Sequence, residues 1–116
     1  MKNKILIIDD EPVITFSVQH FLKENGFIAE IAIPTDDICT IFNSFKPDLV
    51  LTDYFMPHMD GATIIKKIKG KKISFPIIVM TGFEKSFDLK KYENIRVISK
   101  PFSLQSLLVE IKSLLN

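Results

Sequence analysis

The sequence predicts an α/β fold, a parallel β-sheet with helices packed on both of its faces. Segments typical of strands and of helices alternate five times along the 116 residues. Such alternation is typical of parallel strands joined by crossover helices. Three of the strand segments, residues 5–8, 48–52 and 75–80, are apolar without alternation. Strands of this kind are buried on both faces, so helices should cover both sides of the sheet.

The ends of the first two predicted helices carry residue types that favour such positions. Pro12 stands at the start of the first helix and Gly26 at its end, where proline and glycine are favoured. Thr35 is the predicted cap of the second helix, with Asp36 and Asp37 in its first turn. The sequence thus indicates where the chain turns between strands.

The remaining elements follow from similar signals. Strands are predicted over residues 27–33 and 95–98, and a short helix over residues 84–93. Ser103 is the predicted cap of the last helix. The Lys100-Pro101 bond before that helix is a candidate for a cis peptide, since X-Pro bonds adopt that form in some turns.

The composition fits a single intracellular domain. Apolar residues make up 47% of the chain, which is enough for a core, and the formal net charge of +1 favours neither nucleic acid nor a membrane surface. Cys39 is the single cysteine and cannot form an internal disulfide. Only four apolar residues precede Asp9, too few for a signal peptide or a membrane span. We expect one domain over residues 1–116, located in the cytoplasm.

Polar side chains collect where the predicted strands end. They are Asp9 and Asp10 after the first strand, Asp53 after the third, Thr81 after the fourth and Lys100 after the fifth. In open parallel sheets, functional sites lie at the carboxyl ends of the strands, near the switch in strand order. We therefore expect these side chains to share one site.

The chemistry of this set favours a hard cation. Carboxylates that lie close together repel one another, and Mg²⁺, which prefers oxygen ligands, would relieve the repulsion. Zinc is not expected, because Cys39, His20 and His58 lack ligand spacing. A carboxylate beside Mg²⁺, a hydroxyl and a lysine can accept a phosphoryl group as an acyl phosphate.

Four motifs in this order resemble the response-regulator receiver domain of bacterial two-component signalling, a CheY-like family. They are IIDDEP (7–12), LVLTDYFMPHMDG (49–61), IIVMTG (77–82) and SKPF (99–102). The resemblance covers essentially the whole chain. It implies a flavodoxin-like fold with strand order 2-1-3-4-5.

The resemblance also implies a function and roles for individual residues. A histidine kinase or phosphotransfer protein would transfer a phosphoryl group to Asp53, and Mg²⁺ would assist. The implied metal ligands are Asp9 (through water), Asp10, Asp53 and the backbone carbonyl of Phe55. Thr81 would hydrogen-bond the phosphoryl group and Lys100 would pair with it. The chain would be a signalling phosphoacceptor, not an enzyme, that assists its own phosphotransfer and dephosphorylation.

The expected partners follow from the same resemblance. They are the kinase or phosphotransfer protein, an unidentified output protein and, for weak association, a second copy of the chain. No output domain is expected in these residues, and neither a membrane nor nucleic acid is expected as a partner. The lysine-rich stretch at residues 66–72 is interpreted as a solvated helix end.

The sequence departs from the family pattern in three places. Val97 stands where the family carries a switching Tyr or Phe, and the segment from Thr81 to Lys100 is short. Phe55 and Phe83 each lie two residues after a site residue. We predict that their rings hinder water and lengthen the life of the phosphoryl group.

The same residues are compatible with other functions. The first two departures favour an alternative, a non-phosphorylated pseudo-receiver that acts as an interaction scaffold. A haloacid dehalogenase-type phosphatase would need a second Asp where Phe55 stands. A dinucleotide binder would need a Gly-rich loop after the first strand. Glu11 is expected to serve the helix N-terminus or to touch a metal-bound water.

Overall fold

The computed structural model describes residues 3–33, 37–54, 61–69, 75–82 and 94–115. Within them the chain forms five strands and four helices. In order, these are β1 (Lys4–Ile8), α1 (Pro12–Glu24), β2 (Ile28–Ala32), α2 (Ile38–Phe45), β3 (Leu49–Asp53), α3 (Gly61–Lys69), β4 (Ile77–Thr81), β5 (Ile95–Ser99) and α4 (Leu104–Leu115). The helix predicted over residues 84–93 lies outside the described residues. Among the helices that are described, none has the length and apolar character needed to cross a membrane.

The five strands form one parallel sheet in the order β2-β1-β3-β4-β5. The prediction of a parallel α/β fold with strand order 2-1-3-4-5 is therefore confirmed. The strand order reverses between β1 and β3, because the chain leaves β1 towards one edge and returns to its other side. This reversal creates a crevice at the carboxyl ends of β1 and β3.

Helices cover both faces of the sheet, and alternate strand residues divide between two cores. On one face, β1 and β3 residues such as Leu6 and Val50 pack with α2 and α3. On the other, neighbours such as Ile7 and Leu51 pack with α1 and α4. All residues of β3 and β4 are buried, as the apolar runs predicted. The edge strand β5 is only partly buried.

The ends of α1 match the sequence prediction. Pro12 occupies the first turn, where its missing N–H costs no hydrogen bond. At the other end, Gly26 has a φ of 89°, a left-handed conformation that favours glycine. The N–H of Gly26 donates to Lys23 O (3.2 Å), and the N–H of Phe27 donates to Leu22 O (3.0 Å). This pair of bonds is a Schellman motif, which ends the helix and turns the chain into β2.

The caps of α2 and α4 test two further predictions. Ser103 caps α4 as expected, because its Oγ accepts a hydrogen bond from Ser106 N at 3.0 Å. For α2 the prediction was wrong about Asp37, which caps the helix rather than lying in its first turn. Its Oδ1 accepts from Thr40 N at 3.1 Å. Thr35 lies outside the described residues.

Candidate functional site

The parallel register brings the ends of four strands to one edge of the sheet. Asp53 is the last residue of β3 and is paired with Met80 of β4. Thr81 is the last residue of β4 and is paired with Ser99 of β5. The sequence analysis placed Asp53 and Thr81 just after their strands. The ladder extends one residue further, so both backbones are fixed by the sheet.

Four carboxylates gather at the crevice between β1 and β3. They belong to Asp9, Asp10, Glu11 and Asp53, and one oxygen from each lies within 4.8 Å of the others. Asp9 and Asp53 are buried, whereas Asp10 and Glu11 are exposed. Such a set of oxygen ligands suits a hard divalent cation, which accepts several carboxylates and keeps water ligands. The expected gathering of Asp9, Asp10 and Asp53 is thus present.

Lys100 places its ammonium among these carboxylates. Its Nζ donates to Asp9 Oδ2 at 3.3 Å, to Asp53 Oδ2 at 3.2 Å and to Glu11 Oε1 at 3.1 Å. The backbone helps to position it, because Lys100 N donates to Thr81 O at 2.7 Å. The Lys100-Pro101 peptide bond is cis, as the sequence analysis suggested.

The charges of this cluster perturb each other. The pKa of Asp9 is raised to about 6: burial raises it most, attraction to Lys100 lowers it, and repulsion from Asp53 raises it. For Lys100, burial opposes the charged form. Attraction to Asp9, Glu11 and Asp53 outweighs that effect, so the pKa of Lys100 is raised. The ammonium is therefore firmly charged, while Asp9 is held ionised against a desolvation cost.

Glu11 is the residue whose role the sequence analysis missed. It stands at the N-cap of α1, but its side chain makes no capping hydrogen bond. Glu11 thus stands at the helix N-terminus as expected, but its Oε1 pairs with Lys100, a contact that the sequence analysis did not foresee. The available signal was a third consecutive acidic residue, after Asp9 and Asp10, facing a single lysine at another strand end.

The structure describes only some of the remaining residues that the sequence analysis singled out. The side chain of Thr81 is buried at the end of β4, beside the strand that carries Asp53. Phe55, Phe83 and His58 lie outside the described residues, so the carbonyl ligand and the two rings stay predictions. Val97 lies on β5 and is half exposed.

A cleft of about 500 Å³ adjoins the charged cluster. It lies between the first turns of α1 and the segment that follows β5. Its apolar walls include Ile14, Phe102 and Leu104, and Glu11 and Lys100 also line it. An apolar surface thus lies directly next to the charged cluster.

Comparison with known proteins gives the family. The response regulator receiver domain profile matches residues 5–112. The chain belongs to this family. The crystal structure of a two-component response regulator from Clostridium difficile is 29% identical, with a TM-score of 0.85, and the match covers 98% of this chain and 96% of that one. The receiver domain of a signal transduction histidine kinase from Syntrophus aciditrophicus is 27% identical with a TM-score of 0.83, covering 97% and 89%.

This chain also matches part of a longer curated relative. The alkaline phosphatase synthesis transcriptional regulatory protein PhoP of Bacillus subtilis is 29% identical over 120 residues. The match covers 99% of this chain and 49% of that protein. The receiver domain thus spans about half the length of this curated relative. The CheY4 structure of Vibrio cholerae, at 22% identity and a TM-score of 0.85 over 98% of this chain and 99% of that one, supports the CheY-like, flavodoxin-like fold.

Proposed function

We propose that this receiver domain accepts a phosphoryl group on Asp53 and thereby switches the binding of a partner protein. The observation that carries the proposal is the placement of Lys100 Nζ 3.2 Å from Asp53 Oδ2, inside a cluster of four carboxylates. The donor would be a histidine kinase or a phosphotransfer protein of a two-component system. Supporting observations are the family membership and the position of Asp53 at the crevice where the strand order reverses.

Each site residue has a defined task in this proposal. A carboxylate oxygen of Asp53 attacks the phosphorus of a phosphohistidine, the P–N bond breaks and the imidazole leaves. Asp53 then carries an acyl phosphate. Lys100 pairs with the oxygens of the phosphoryl group, and the Thr81 hydroxyl donates a hydrogen bond to it. Both groups stabilise charge that develops on those oxygens during transfer.

Mg²⁺ is the cofactor that the proposal requires. Asp10 and Asp53 would hold it directly, with the carbonyl of Phe55, and Asp9 would act through water. The cluster fits the ion, since its donors are all carboxylate oxygens within 4.8 Å of one another. When bound, the ion offsets the negative charge of the carboxylates and of the incoming phosphoryl group.

The domain would act as a switch rather than as an enzyme. Its only chemical product is its own phosphorylated form, which it also helps to hydrolyse. The responding partner is a separate protein or, as the length of the Bacillus subtilis relative allows, a further domain of the same polypeptide. A membrane or nucleic acid is not needed for this activity.

The test is the intact mass of the protein after incubation with Mg²⁺ and acetyl phosphate. The wild type should gain one phosphoryl group, and Asp53→Asn or removal of Mg²⁺ with EDTA should abolish the gain. Asp48→Asn is a matched control, because Asp48 directly precedes β3, at the edge of the sheet opposite to the site, and asparagine keeps an acceptor for Lys4 N. A wild type that stays unmodified with acetyl phosphate and with a phosphorylated kinase would refute the proposal and favour the scaffold alternative.

A further inference from the structure

The ammonium of Lys100 is shared by three carboxylates whose surroundings differ. The distances from Nζ are similar, between 3.1 and 3.3 Å. The exposed fractions of the side chains differ: they are 0% for Asp9, 9% for Asp53 and 55% for Glu11. Two of the partners are therefore fixed inside the protein, and the third reaches in from the surface.

The two buried partners also belong to the set that a divalent cation would use, Asp53 as a direct ligand and Asp9 through water. A doubly charged ion beside Asp9 and Asp53 would repel an ammonium held by the same groups. Yet Lys100 is itself only 16% exposed, and a buried ammonium without an anionic partner is strongly disfavoured. The ion and the lysine can occupy the site together only if the ammonium keeps another counter-charge.

The Glu11 carboxylate has the properties of that counter-charge. Its backbone is fixed, because Glu11 O accepts from Ile14 N (3.1 Å) and Thr15 N (3.0 Å), and its N–H donates to Asp9 Oδ1 (3.2 Å). Its side chain is not engaged in capping α1 and makes the shortest contact to Lys100 Nζ. It is thus anchored to the site but partly solvated.

We infer that Glu11 is a positioning residue, which holds the Lys100 ammonium when a divalent cation engages Asp53 directly and Asp9 through water. This inference rests on the proposed function, because that function supplies the cation. Without the Glu11 carboxylate, the ion would have to bind against an unpartnered ammonium. Glu11 therefore sets the affinity for the metal through Lys100, without needing to be a ligand.

The test compares metal affinity in four proteins by a double-mutant cycle. Mn²⁺, which takes the same oxygen ligands as Mg²⁺, is titrated and its free form is measured by electron paramagnetic resonance, with Mg²⁺ as competitor. We expect Glu11→Gln to weaken Mn²⁺ binding about tenfold, equivalent to ~1.4 kcal/mol. In a Lys100→Met background the same substitution should weaken binding by no more than about twofold.

A charge-matched control is available on the same helix. Glu24 lies at the far end of α1, is exposed and pairs with His20. Glu24→Gln removes one negative charge from the same element and should leave Mn²⁺ affinity within about twofold of the wild type. Circular dichroism of each variant verifies that the fold is retained.

Several outcomes would overturn the inference. If Glu11→Gln weakens binding equally in the wild-type and Lys100→Met backgrounds, Glu11 acts on the ion itself. If Glu11→Gln leaves the affinity of the otherwise wild-type protein unchanged, Glu11 does not act on metal binding at all. In both cases a wild type that binds Mn²⁺ leaves the proposed function standing. A wild type that binds neither ion would remove the proposed function and this inference together.

A second measurement uses the wild type alone and applies even if Lys100→Met does not fold. In a crystal structure grown with Mg²⁺, Lys100 Nζ should remain within hydrogen-bond distance of Glu11 and should have lost its contact with Asp9. An ammonium that stays on Asp9 and leaves Glu11 would refute the inference.

Discussion

Replacing Asp9 with asparagine should stabilise the metal-free protein. Asp9 is almost fully buried, and burial raises its pKa from 3.8 to about 6 despite the nearby Lys100. That rise corresponds to ~3 kcal/mol of free energy needed to ionise Asp9 in the folded state. Asparagine has a similar shape, keeps an acceptor for Glu11 N and carries no charge. We expect the free energy of unfolding to increase by ~1–3 kcal/mol at about pH 8, because asparagine removes most of this cost.

The gain in stability from Asp9→Asn should depend on pH. The pKa of Asp9 is higher in the folded than in the unfolded protein, so the folded wild type binds more protons between about pH 4 and pH 6. Its stability relative to the variant therefore falls as the pH rises through this window. The advantage of Asp9→Asn should be largest above pH 6 and should vanish near pH 4.

Urea denaturation in EDTA at several pH values measures this difference. Asp10→Asn is a useful control, because it removes a neighbouring carboxylate that is exposed. Its effect should be less than half as large. Saturating Mg²⁺ should reverse the order, since the wild type then gains binding energy that the variant lacks. A variant less stable than the wild type in EDTA, or a difference that does not change with pH, would refute the reasoning.

Two further predictions concern the ends of the helices, and both are measured by urea denaturation. Ser103→Ala removes the acceptor for Ser106 N and should cost about 1 kcal/mol, whereas Ser17→Ala, at an exposed position in α1, should not destabilise. Gly26→Ala should cost about 1–2 kcal/mol, because φ is +89° although no atom crowds the site. Gly82→Ala, with equal space and no such φ, should cost less; equal losses would contradict the conformational argument.

The strands could be predicted from the sequence because a strand buried on both faces has a continuous run of apolar residues. Continuous apolar runs indicated β1, β3 and β4, and each is buried along almost its whole length. The exact ends of the strands were harder to predict. Asp53 and Thr81 are polar and suggested that the strands had already ended, but pairing in a sheet involves the backbone and continues through both residues.

The errors arose where residues close together in the sequence could fill the same role, or where a partner lies far away in the sequence. Thr35, Asp36 and Asp37 are all good capping residues, so composition could not decide which of them begins α2. Glu11 lies beside a helix N-terminus, which suggested a local role. Its partner Lys100 is 89 residues away, and only the assembled sheet brings the two together. The polar site residues at the strand ends were predictable, whereas the pairing of Glu11 with Lys100 was not.

The span of the Lys100–Asp9 contact has a consequence for the life of the protein. The two residues are 91 positions apart, so the ribosome delivers all four carboxylates long before it delivers the lysine. A chain that stops before residue 100 has the acidic residues without their counter-ion and lacks α4, which covers part of one face. The charged cluster is thus completed only after the chain has been synthesised beyond residue 100 and β5 has joined the sheet.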